Sequence, residues 1–231
     1  MANIKGRAGR NIRLLAFFRR YKAIGSFVGA GIVIYLPFLL ANFIKVILQP
    51  LADSNPNVNN TQVLPPLVYI ATTIMAIVLV ANGVFLWKRA NHADQSAKGE
   101  EDIADELFEL TNDGWQIEYG NRLGKGGGDI DIICVSPSKK TFVIDVKSHK
   151  GTVFAKASKL YRRLGNKQYP FEKDFLAQVM KQALQVKRAK KVNFVTSILV
   201  FSAAKVAVVS GKVKHVYVFE RTELVRLLKS F

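Results

Sequence analysis

Two long apolar runs without a charged residue, residues 23–44 and 67–87, lie in the N-terminal part of this 231-residue chain. The first run would make a helix roughly 33 Å long, and the hydrocarbon core of a bilayer is roughly 30 Å thick. A core helix of a soluble protein normally carries a polar stripe, and a cleaved signal peptide has a shorter apolar stretch followed by a small-residue cleavage site. The sequence therefore predicts a transmembrane hairpin over residues 23–90, with spans at about 23–45 and 67–87.

Positive charge is concentrated on one side of the predicted hairpin. Seven Lys and Arg residues and no acid precede the first run, and Lys88 and Arg89 follow the second, whereas the connecting loop is nearly neutral. The positive-inside rule therefore predicts a two-pass protein of an inner or plasma membrane, with both termini in the cytoplasm and the loop outside.

Two further features of this part of the chain predict partners. Residues 1–22 form a basic cytoplasmic segment in which Leu14 and Phe17 interleave with the cations, so membrane lipid is the expected partner and nucleic acid the less favoured one. Gly25 and Gly29 have the G-x-x-x-G spacing that permits close packing of helices, which allows a homodimer through the first membrane helix.

The formal net charge of +17 divides into two nearly equal parts. Residues 1–89 hold ten Lys and Arg against one Asp, or +9, and the rest of the chain holds 24 against 16, or +8. The first part fits membrane topology and lipid contact, and the second belongs to a separate cytoplasmic domain over residues 91–231. The single cysteine, Cys134, excludes an internal disulfide framework and a multi-cysteine zinc site.

Residues 91–231 have the pattern of a compact α/β unit. Ile103, Leu107 and Leu110 recur at helical spacing until Asn112-Asp113-Gly114 stops the helix. Strands are predicted at residues 115–119, 129–135, 141–147, 195–201 and 215–219. A basic, Tyr-containing irregular segment follows the third strand, and helices are predicted at about 173–190 and 222–228.

The strands at 129–135 and 141–147 alternate apolar and polar residues. The apolar face is made by Ile130, Ile132 and Cys134 on the first strand and by Phe142, Ile144 and Val146 on the second. Asp129 and Asp131 point the other way on the first strand, and Asp145 and Lys147 do so on the second. Ser138 is equidistant from the two strands, so a simple hairpin pairs Asp131 with Asp145 and Asp129 with Lys147, unless a bulge shifts the register by one residue.

The predicted register brings two carboxylates face to face. The Cβ atoms of Asp131 and Asp145 would lie roughly 5 Å apart, where like charges repel and burial adds to the cost. Lys147 offers one positive charge, whereas Mg²⁺ or Mn²⁺ offers two, prefers oxygen ligands, and could hold a phosphate and acidify a water. The alternative is a surface salt bridge on a half-exposed hairpin. The Gly-rich turn at 124–128 would let backbone approach a ligand, but no Lys-Ser or Lys-Thr pair follows it as in a nucleotide triphosphate loop.

Glu100 adds a third acid. It lies at helical spacing with Ile103, Leu107 and Leu110, so it shares the face that packs on the sheet and could reach over the strand pair towards the metal. The alternative interpretation is an ordinary acid in the first turn of a helix, where the helix dipole favours negative charge.

These residues resemble a known family. Gly99-Glu100 at the start of a helix, Gly-Asp-Ile-Asp at 128–131, Ile-Asp-Val-Lys at 144–147 and the following Gly151 resemble the PD-(D/E)XK nuclease superfamily, and most closely its nuclease-related (NERD) domain. Gln178 resembles the helical glutamine of that domain. The resemblance covers roughly residues 97–188 and departs at Asp145, where many members have Glu.

The resemblance implies a restriction-endonuclease-like core, a mixed sheet flanked by helices, that hydrolyses phosphodiester bonds of DNA or RNA with Mg²⁺, or alternatively Mn²⁺. It implies that Asp131, Asp145 and the carbonyl of Val146 hold the metal. Lys147 would orient the attacking water and stabilise charge on the phosphate, and Glu100 would support the site from the helix. Gln178 would be an auxiliary polar contact, with a simple exposed helix residue as the alternative.

Several cations of the domain are candidates for contact with nucleic acid, with DNA the expected form. They are Lys125, Lys156, Lys159, Arg162 and Arg163, which Tyr161 and Tyr169 accompany, and a solvated surface is the alternative. The sequence thus predicts a membrane-anchored metal-dependent nuclease. A catalytically inactive nucleic-acid-binding or scaffold module at the membrane is the second hypothesis, and a hairpin that only organises lipid is the third.

Overall fold

The computed structural model describes residues 4–53, 64–122 and 129–231. The Gly-rich turn, with Lys125, and residues 54–63 between the two apolar runs lie outside these ranges. The chain divides into two compact units, one made of the residues up to Arg13 together with Ala93–Phe231 and the other made of Leu14–His92.

The smaller unit contains most of helix α1 (Arg10–Asp53) and the first part of helix α2 (Pro66–Asn112). They run antiparallel, because Asn82 donates a hydrogen bond to Ser26 over 3.0 Å and, further along, the rings of Phe38 and Tyr69 lie 5.6 Å apart. Both helices are long and apolar enough to cross a membrane, and only 11% of the most apolar window of each is buried. The prediction of two membrane-length apolar helices is therefore confirmed, and the low burial is unlike that of a soluble core helix.

Gly25 and Gly29 do not form the main contact between these helices. A Cβ atom at Gly25 would meet nothing within 4 Å, and one at Gly29 would come only within 3.7 Å of a methyl group of Leu79. The close approach is at Gly83, where a Cβ atom would lie 2.6 Å from the ring of Phe27. The homodimer through the first membrane helix stays a prediction.

Helix α2 continues without a break into the larger unit. The sequence predicts an apolar span and a separate helix that starts near Gly99, but one helix covers both segments. The residues at 90–98 contain no proline or glycine, so nothing stops the helix from propagating. Glu100 therefore lies in the interior of a helix, and its interpretation as a first-turn acid is wrong.

A seven-stranded mixed sheet forms the centre of the larger unit. Its strands are β1 (Ile4–Lys5), β2 (Gln116–Arg122), β3 (Asp129–Val135), β4 (Thr141–Lys147), β8 (Val195–Phe201), β10 (Lys212–Val213) and β11 (Val216–Glu220). They lie in the order β1-β2-β3-β4-β8-β11-β10, with parallel pairs at β1–β2, β4–β8 and β8–β11. This arrangement confirms the predicted mixed α/β fold, although the sequence analysis did not foresee β1.

Both faces of this sheet are covered. Ile103, Leu107 and Leu110 of α2 pack on one face with Ile132 and Ile144. Helix α3 (Phe175–Lys190) packs on the other face through Val179, Ala183 and Val186, and α4 (Leu224–Lys229) ends the domain. Asp145 of β4 therefore lies under a helix rather than in open solvent, whereas Asp129 at the start of β3 is exposed.

The basic segment after β4 is a second sheet rather than an irregular loop. Its strands are β5 (Gly151–Lys156), β6 (Lys159–Leu164), β7 (Lys167–Pro170) and β9 (Ala204–Ala207), in the order β7-β6-β5-β9. β5, β6 and β7 are joined by short turns into an antiparallel meander. Val153, Leu160 and Ala204 bury one face of this sheet against the α3 side of the core.

Candidate functional site

The strands β3 and β4 pair in the predicted register. Ile132 faces Ile144 and Cys134 faces Phe142, which would place Asp131 opposite Asp145. The ladder ends at Ile132 and Ile144, so the two strands part at the acids. Beyond that point the carboxylate of Asp131 accepts a hydrogen bond from the Val146 N–H over 2.8 Å, taking the place of a main-chain partner.

Ile130 does not lie on the predicted apolar face. It packs with the α3 side of the core, whereas Ile132 packs with the α2 side. The β2–β3 ladder omits the pair Gly120 and Asp131, and Gly120 has a φ of 61°, in the left-handed region. This irregularity interrupts the strict alternation of faces that the sequence analysis assumed.

Asp145 is the most enclosed acid of the site, with 1% of its surface exposed. Its Oδ2 atom lies 2.6 Å from the ammonium of Lys147. Its Oδ1 atom accepts hydrogen bonds from Gln178 over 3.2 Å and from Gln182 over 3.4 Å. Burial raises the pKa of Asp145, and the Lys147 ammonium opposes that rise.

Gln182 is a site residue that the sequence analysis missed. It is buried on α3, and its amide nitrogen also donates to the main-chain carbonyl of Asp129 over 3.2 Å. Gln182 follows Gln178 by one helical turn and lies on the same stripe as Val179 and Val186. This spacing indicates a buried amide, and a buried amide needs hydrogen-bond partners. Gln178 is more exposed than Gln182, yet it contacts the same carboxylate.

Glu100 approaches the site from α2. Its buried carboxylate accepts a hydrogen bond from the N–H of Gly9 over 3.0 Å. Gly99 lets helix α2 lie close to Ser148 and Ser202, because a Cβ atom at this position would lie 2.5 Å from the hydroxyl of Ser202 and 3.1 Å from Ser148. Burial raises the pKa of Glu100, and Lys147 opposes that rise. The N-terminal segment thus helps to hold an acid that comes 91 residues later in the sequence.

Lys147 connects the acids to a cavity of about 550 Å³. Its side chain is 16% exposed and its ammonium also lies over the ring of Phe175, 5.0 Å from the ring centre. The other polar residues that line this cavity are His149, Arg162, Tyr169, Glu172, Lys173 and Gln178. His149 packs against Phe171 and Phe175, and burial together with Arg162 and Lys147 lowers its pKa. The imidazole in the cavity wall is therefore neutral near pH 7.

The cations predicted to contact nucleic acid separate onto different surfaces. Arg162 lines the cavity, since it pairs across the ladder with the buried Val153 and shares its face. Lys156, Lys159 and Arg163 are exposed on the opposite face of the second sheet. Lys125 lies outside the described residues.

The negative charges of Glu100, Asp131 and Asp145 are not balanced by the single ammonium of Lys147. Desolvation raises the pKa of Asp131 well above its usual range, and the charges of Asp145 and Glu100 raise it further. Lys147 and the Val146 N–H act in the opposite direction. Three carboxylates near a single ammonium, with Glu100 and Asp145 buried, favour either a bound proton or an added cation.

The donor set is compatible with a hard divalent cation, although it is small. Within the described residues, no group of three or more His, Cys, Asp or Glu side chains is arranged to hold a metal ion. Asp131 and Asp145 supply two carboxylates. The Val146 carbonyl points to the same side as its N–H, towards β3 and the Asp131 carboxylate, because both groups of a strand residue face the same neighbour. Two carboxylates with a main-chain oxygen suit Mg²⁺, which retains water and phosphate ligands.

The raised pKa values predict a pH dependence of stability in the absence of metal. The folded protein holds protons on Asp131 and Asp145 at pH values where the unfolded chain releases them. The free energy of unfolding should therefore fall as pH rises from about 4 through the raised pKa values. Thermal unfolding of the full chain in detergent and EDTA should show a lower midpoint at pH 8 than at pH 5, and a smaller difference in the Asp131→Asn protein. Equal pH dependence of the two proteins would contradict this expectation.

A comparison with known protein families gave a match over the region that contains these site residues. The model of the nuclease-related domain (NERD) matches residues 95–202, which include Glu100, Asp131, Asp145, Lys147, Gln178 and Gln182. The comparisons with curated proteins and with solved structures gave no match. The matched range agrees with the residues that carried the resemblance in the sequence. Residues 95–202 of this chain are therefore a nuclease-related domain.

Proposed function

We propose that this chain is a membrane-anchored, metal-dependent nuclease that hydrolyses phosphodiester bonds of DNA or RNA. The observation that carries the proposal is the cluster of Asp131, Asp145 and Lys147, in which Lys147 lies beside the two acids and also lines a cavity with further cations. The match to the nuclease-related domain supports the same chemistry at the level of the family.

Asp131, Asp145 and the Val146 carbonyl are the groups that would hold the metal. When bound there, Mg²⁺ would supply an acidified water and would offset negative charge on the phosphate. The hydrogen bonds from Gln178 and Gln182 fix the orientation of the Asp145 carboxylate, so little reorganisation is needed for it to act as a ligand.

Lys147 is placed to act on a substrate in the cavity. Its ammonium pairs with Asp145 when that carboxylate has no other cation, and its partly exposed side chain borders the cavity. In the proposed reaction it leaves the carboxylate and stabilises charge on the phosphate. Glu100, held by Gly9, positions Lys147 through charge attraction rather than by contact with the reacting atoms.

The cavity supplies the contacts for a phosphodiester backbone. Arg162 and Lys173 place two further cations on its walls, and Tyr169 and Phe171 supply apolar surface beside them. Cations at fixed positions bind phosphates, and aromatic rings accept bases or sugars. The geometry therefore suits a nucleic acid strand better than a small anion.

The direct test is incubation of the full chain, in detergent or nanodiscs, with labelled DNA and RNA in Mg²⁺, Mn²⁺ or EDTA. Cleavage in either metal and none in EDTA is expected. The full chain is needed because Gly9 and β1 belong to the sheet unit, and a fragment starting near residue 91 would lack both. Absence of cleavage under all metal conditions would contradict the proposal.

A second function, binding of nucleic acid without turnover, is favoured by one observation. Asp145 already has Lys147, Gln178 and Gln182 as polar partners, so this carboxylate is paired without a metal. Such a module would bind in EDTA, with strong salt dependence, and would leave its ligand intact. The same incubation separates the two functions, because only the nuclease shortens the labelled strand.

The proposed anchor is the α1–α2 hairpin, with both termini and the nuclease-related domain in the cytoplasm of an inner or plasma membrane. β1 precedes the first apolar helix in sequence and pairs with β2, which follows the second. Two segments paired in one sheet must lie on the same side of a membrane, which requires an even number of crossings. The excess of Lys and Arg before α1 and after the second apolar run favours the cytoplasmic side, with anionic lipid as a partner.

Cysteine labelling tests this topology. A cysteine introduced at Asn57, in the loop between the helices, is expected to react with a membrane-impermeant maleimide in intact cells. A cysteine at the exposed Ser210 should react only after permeabilisation, and the buried native Cys134 should not react in the folded protein. Labelling of Ser210→Cys in intact cells would reverse the orientation, and labelling of neither site before permeabilisation would argue against a hairpin that crosses the bilayer.

A further inference from the structure

The exposed face of the second sheet is chemically distinct from the cavity. Residues paired across a ladder share a face, so Thr152, Arg163 and Lys205 lie together, as do Phe154 with Tyr161 and Lys156 with Lys159. The opposite face contains the buried Val153 and Leu160. We call the exposed surface the outer face and define it by Phe154, Lys156, Lys159, Tyr161, Arg163 and Lys205.

Two stacked aromatic rings lie at the centre of the outer face. The rings of Phe154 and Tyr161 are 5.8 Å apart with an angle of 21° between their planes. They belong to β5 and β6, the two central strands of the four-stranded sheet. Their neighbours on the outer strands, Ala207 and Pro170, are small and exposed, so both rings remain accessible from solvent.

Four cations surround these rings. Arg163 and Lys205 lie on one side of the ring pair along the strands, and Lys156 and Lys159 lie on the other. All four side chains are exposed, and none pairs with an acid among the described residues. The strands β5, β6, β7 and β9 contain no Asp or Glu. The outer face therefore has an uncompensated positive potential around an aromatic centre.

We propose that the outer face binds single-stranded nucleic acid, with bases stacked on Phe154 and Tyr161 and phosphates beside the four cations. Every base has a flat π-face that stacks on an aromatic ring, and a four-stranded sheet with aromatic residues on its central strands presents such rings in a row. Bases inside a duplex are already stacked on one another, so they are not available to these rings. The surface consequently selects unpaired strands, DNA or RNA.

This surface is separate from the proposed catalytic cavity. Arg162 points into the cavity and its neighbour Arg163 points to the outer face, because successive strand residues alternate. The proposal depends on the proposed function only in that both have nucleic acid as the ligand. A strand held on the outer face would raise the local concentration of substrate near the cavity without taking part in the reaction.

Binding measurements on the full chain in neutral-lipid nanodiscs test the proposal, with EDTA present to prevent cleavage. Fluorescence anisotropy would compare labelled single-stranded DNA, single-stranded RNA and duplex DNA, each of about 12 units, a length within the range that one single-strand-binding domain covers. We expect either single strand, or both, to bind about tenfold or more tightly than the duplex. Contact of four cations with phosphates predicts about 50-fold weaker binding of the single strand at 200 mM than at 50 mM salt.

Two double variants separate stacking from charge. Phe154→Leu with Tyr161→Leu keeps the apolar surface and should weaken single-strand binding about tenfold or more with little effect on the duplex. Lys156→Gln with Lys159→Gln should reduce the salt dependence. Lys229→Gln, which removes a charge from an exposed pair with Asp113 outside the outer face, is the control for loss of positive charge elsewhere. Unchanged thermal midpoints would show that the variants fold.

Single-strand binding equal to wild type in the leucine variant overturns the proposal. Co-sedimentation of the nanodiscs with vesicles containing phosphatidylserine tests a lipid surface as the occupant. Vesicle binding that the lysine variant abolishes, with oligonucleotide binding unaffected, also overturns it. Cleavage is measured separately in Mg²⁺. If cleavage persists while binding to the outer face is absent, only this inference fails, and if binding persists while no variant or wild type cleaves, only the proposed nuclease activity fails.

Discussion

The Asp145→Asn protein is expected to lose cleavage of phosphodiester bonds, with a rate lower by on the order of 10³-fold, while remaining folded. Asn has nearly the shape of Asp, and its carbonyl can still accept the hydrogen bonds from Gln178 and Gln182. What disappears is the charge on which both Lys147 and a bound cation depend. Cleavage of a labelled strand in Mg²⁺, measured beside the wild type, gives the ratio of rates.

The same substitution removes a carboxylate from a site where carboxylates repel one another. The charge of Asp145 raises the pKa of Asp131, so its removal relieves part of that repulsion, while Lys147 can turn towards the cavity. We therefore expect the thermal midpoint to stay close to that of the wild type. Functional groups of active sites are often unfavourable for stability, so their removal need not destabilise the fold. A large fall in the midpoint together with the lost activity would mean only that the domain had unfolded.

Asp113→Asn is the matched control for the loss of one acid. Asp113 is half exposed and pairs with Lys229 at the surface, so its removal should leave both cleavage and the thermal midpoint nearly unchanged. Wild-type cleavage by the Asp145→Asn protein would exclude this site as the catalytic centre. Equal loss of activity in both variants would show that the effect is not specific to the site.

The central strand pair could be predicted from the sequence because residues close together in the chain determine both strands and their register. The bounds of β3 and β4 agree with the predicted ranges, and the register follows from the symmetric position of Ser138 between them. Once the register is known, the proximity of Asp131 and Asp145 follows from the pairing alone. The contact between Glu100 and Gly9 could not be predicted in this way, because no local pattern relates residues that are 91 positions apart.

The β5–β6 hairpin was missed because its turn lacks the usual residues. Ala157 and Ser158 have φ values of 48° and 58°, a turn in which Asn and Gly are normally found. The strands also carry cations on the outer face, so the hydrophobic alternation rests on Val153 and Leu160 alone. The next turn, Gly165-Asn166, was a usable signal for a hairpin. Without these strands, the opposite directions of Arg162 and Arg163 could not be predicted.

Replacement of Gly151 by Ala is expected to lower the free energy of unfolding of the domain by about 3 kcal/mol or more. Gly151 has a φ of 103°, which an L-amino acid adopts only with strain. A Cβ atom there would also lie 2.3 Å from the main-chain carbonyl of Arg163, which belongs to β6 and has no freedom to rotate away. Urea unfolding of the full chain in detergent, followed by the signal of the β-sheet unit, would measure the loss.

Gly165→Ala separates the clash from the backbone strain. Gly165 also has a positive φ, 56°, but a Cβ atom there would meet nothing within 4 Å, so the expected loss is only about 1–2 kcal/mol. Gly151 begins the strand that pairs with Arg162 and Arg163, so the clash should also weaken both cleavage and single-strand binding. Equal losses of stability in the two variants would mean that the clash with the Arg163 carbonyl adds nothing to the strain of the backbone at Gly151.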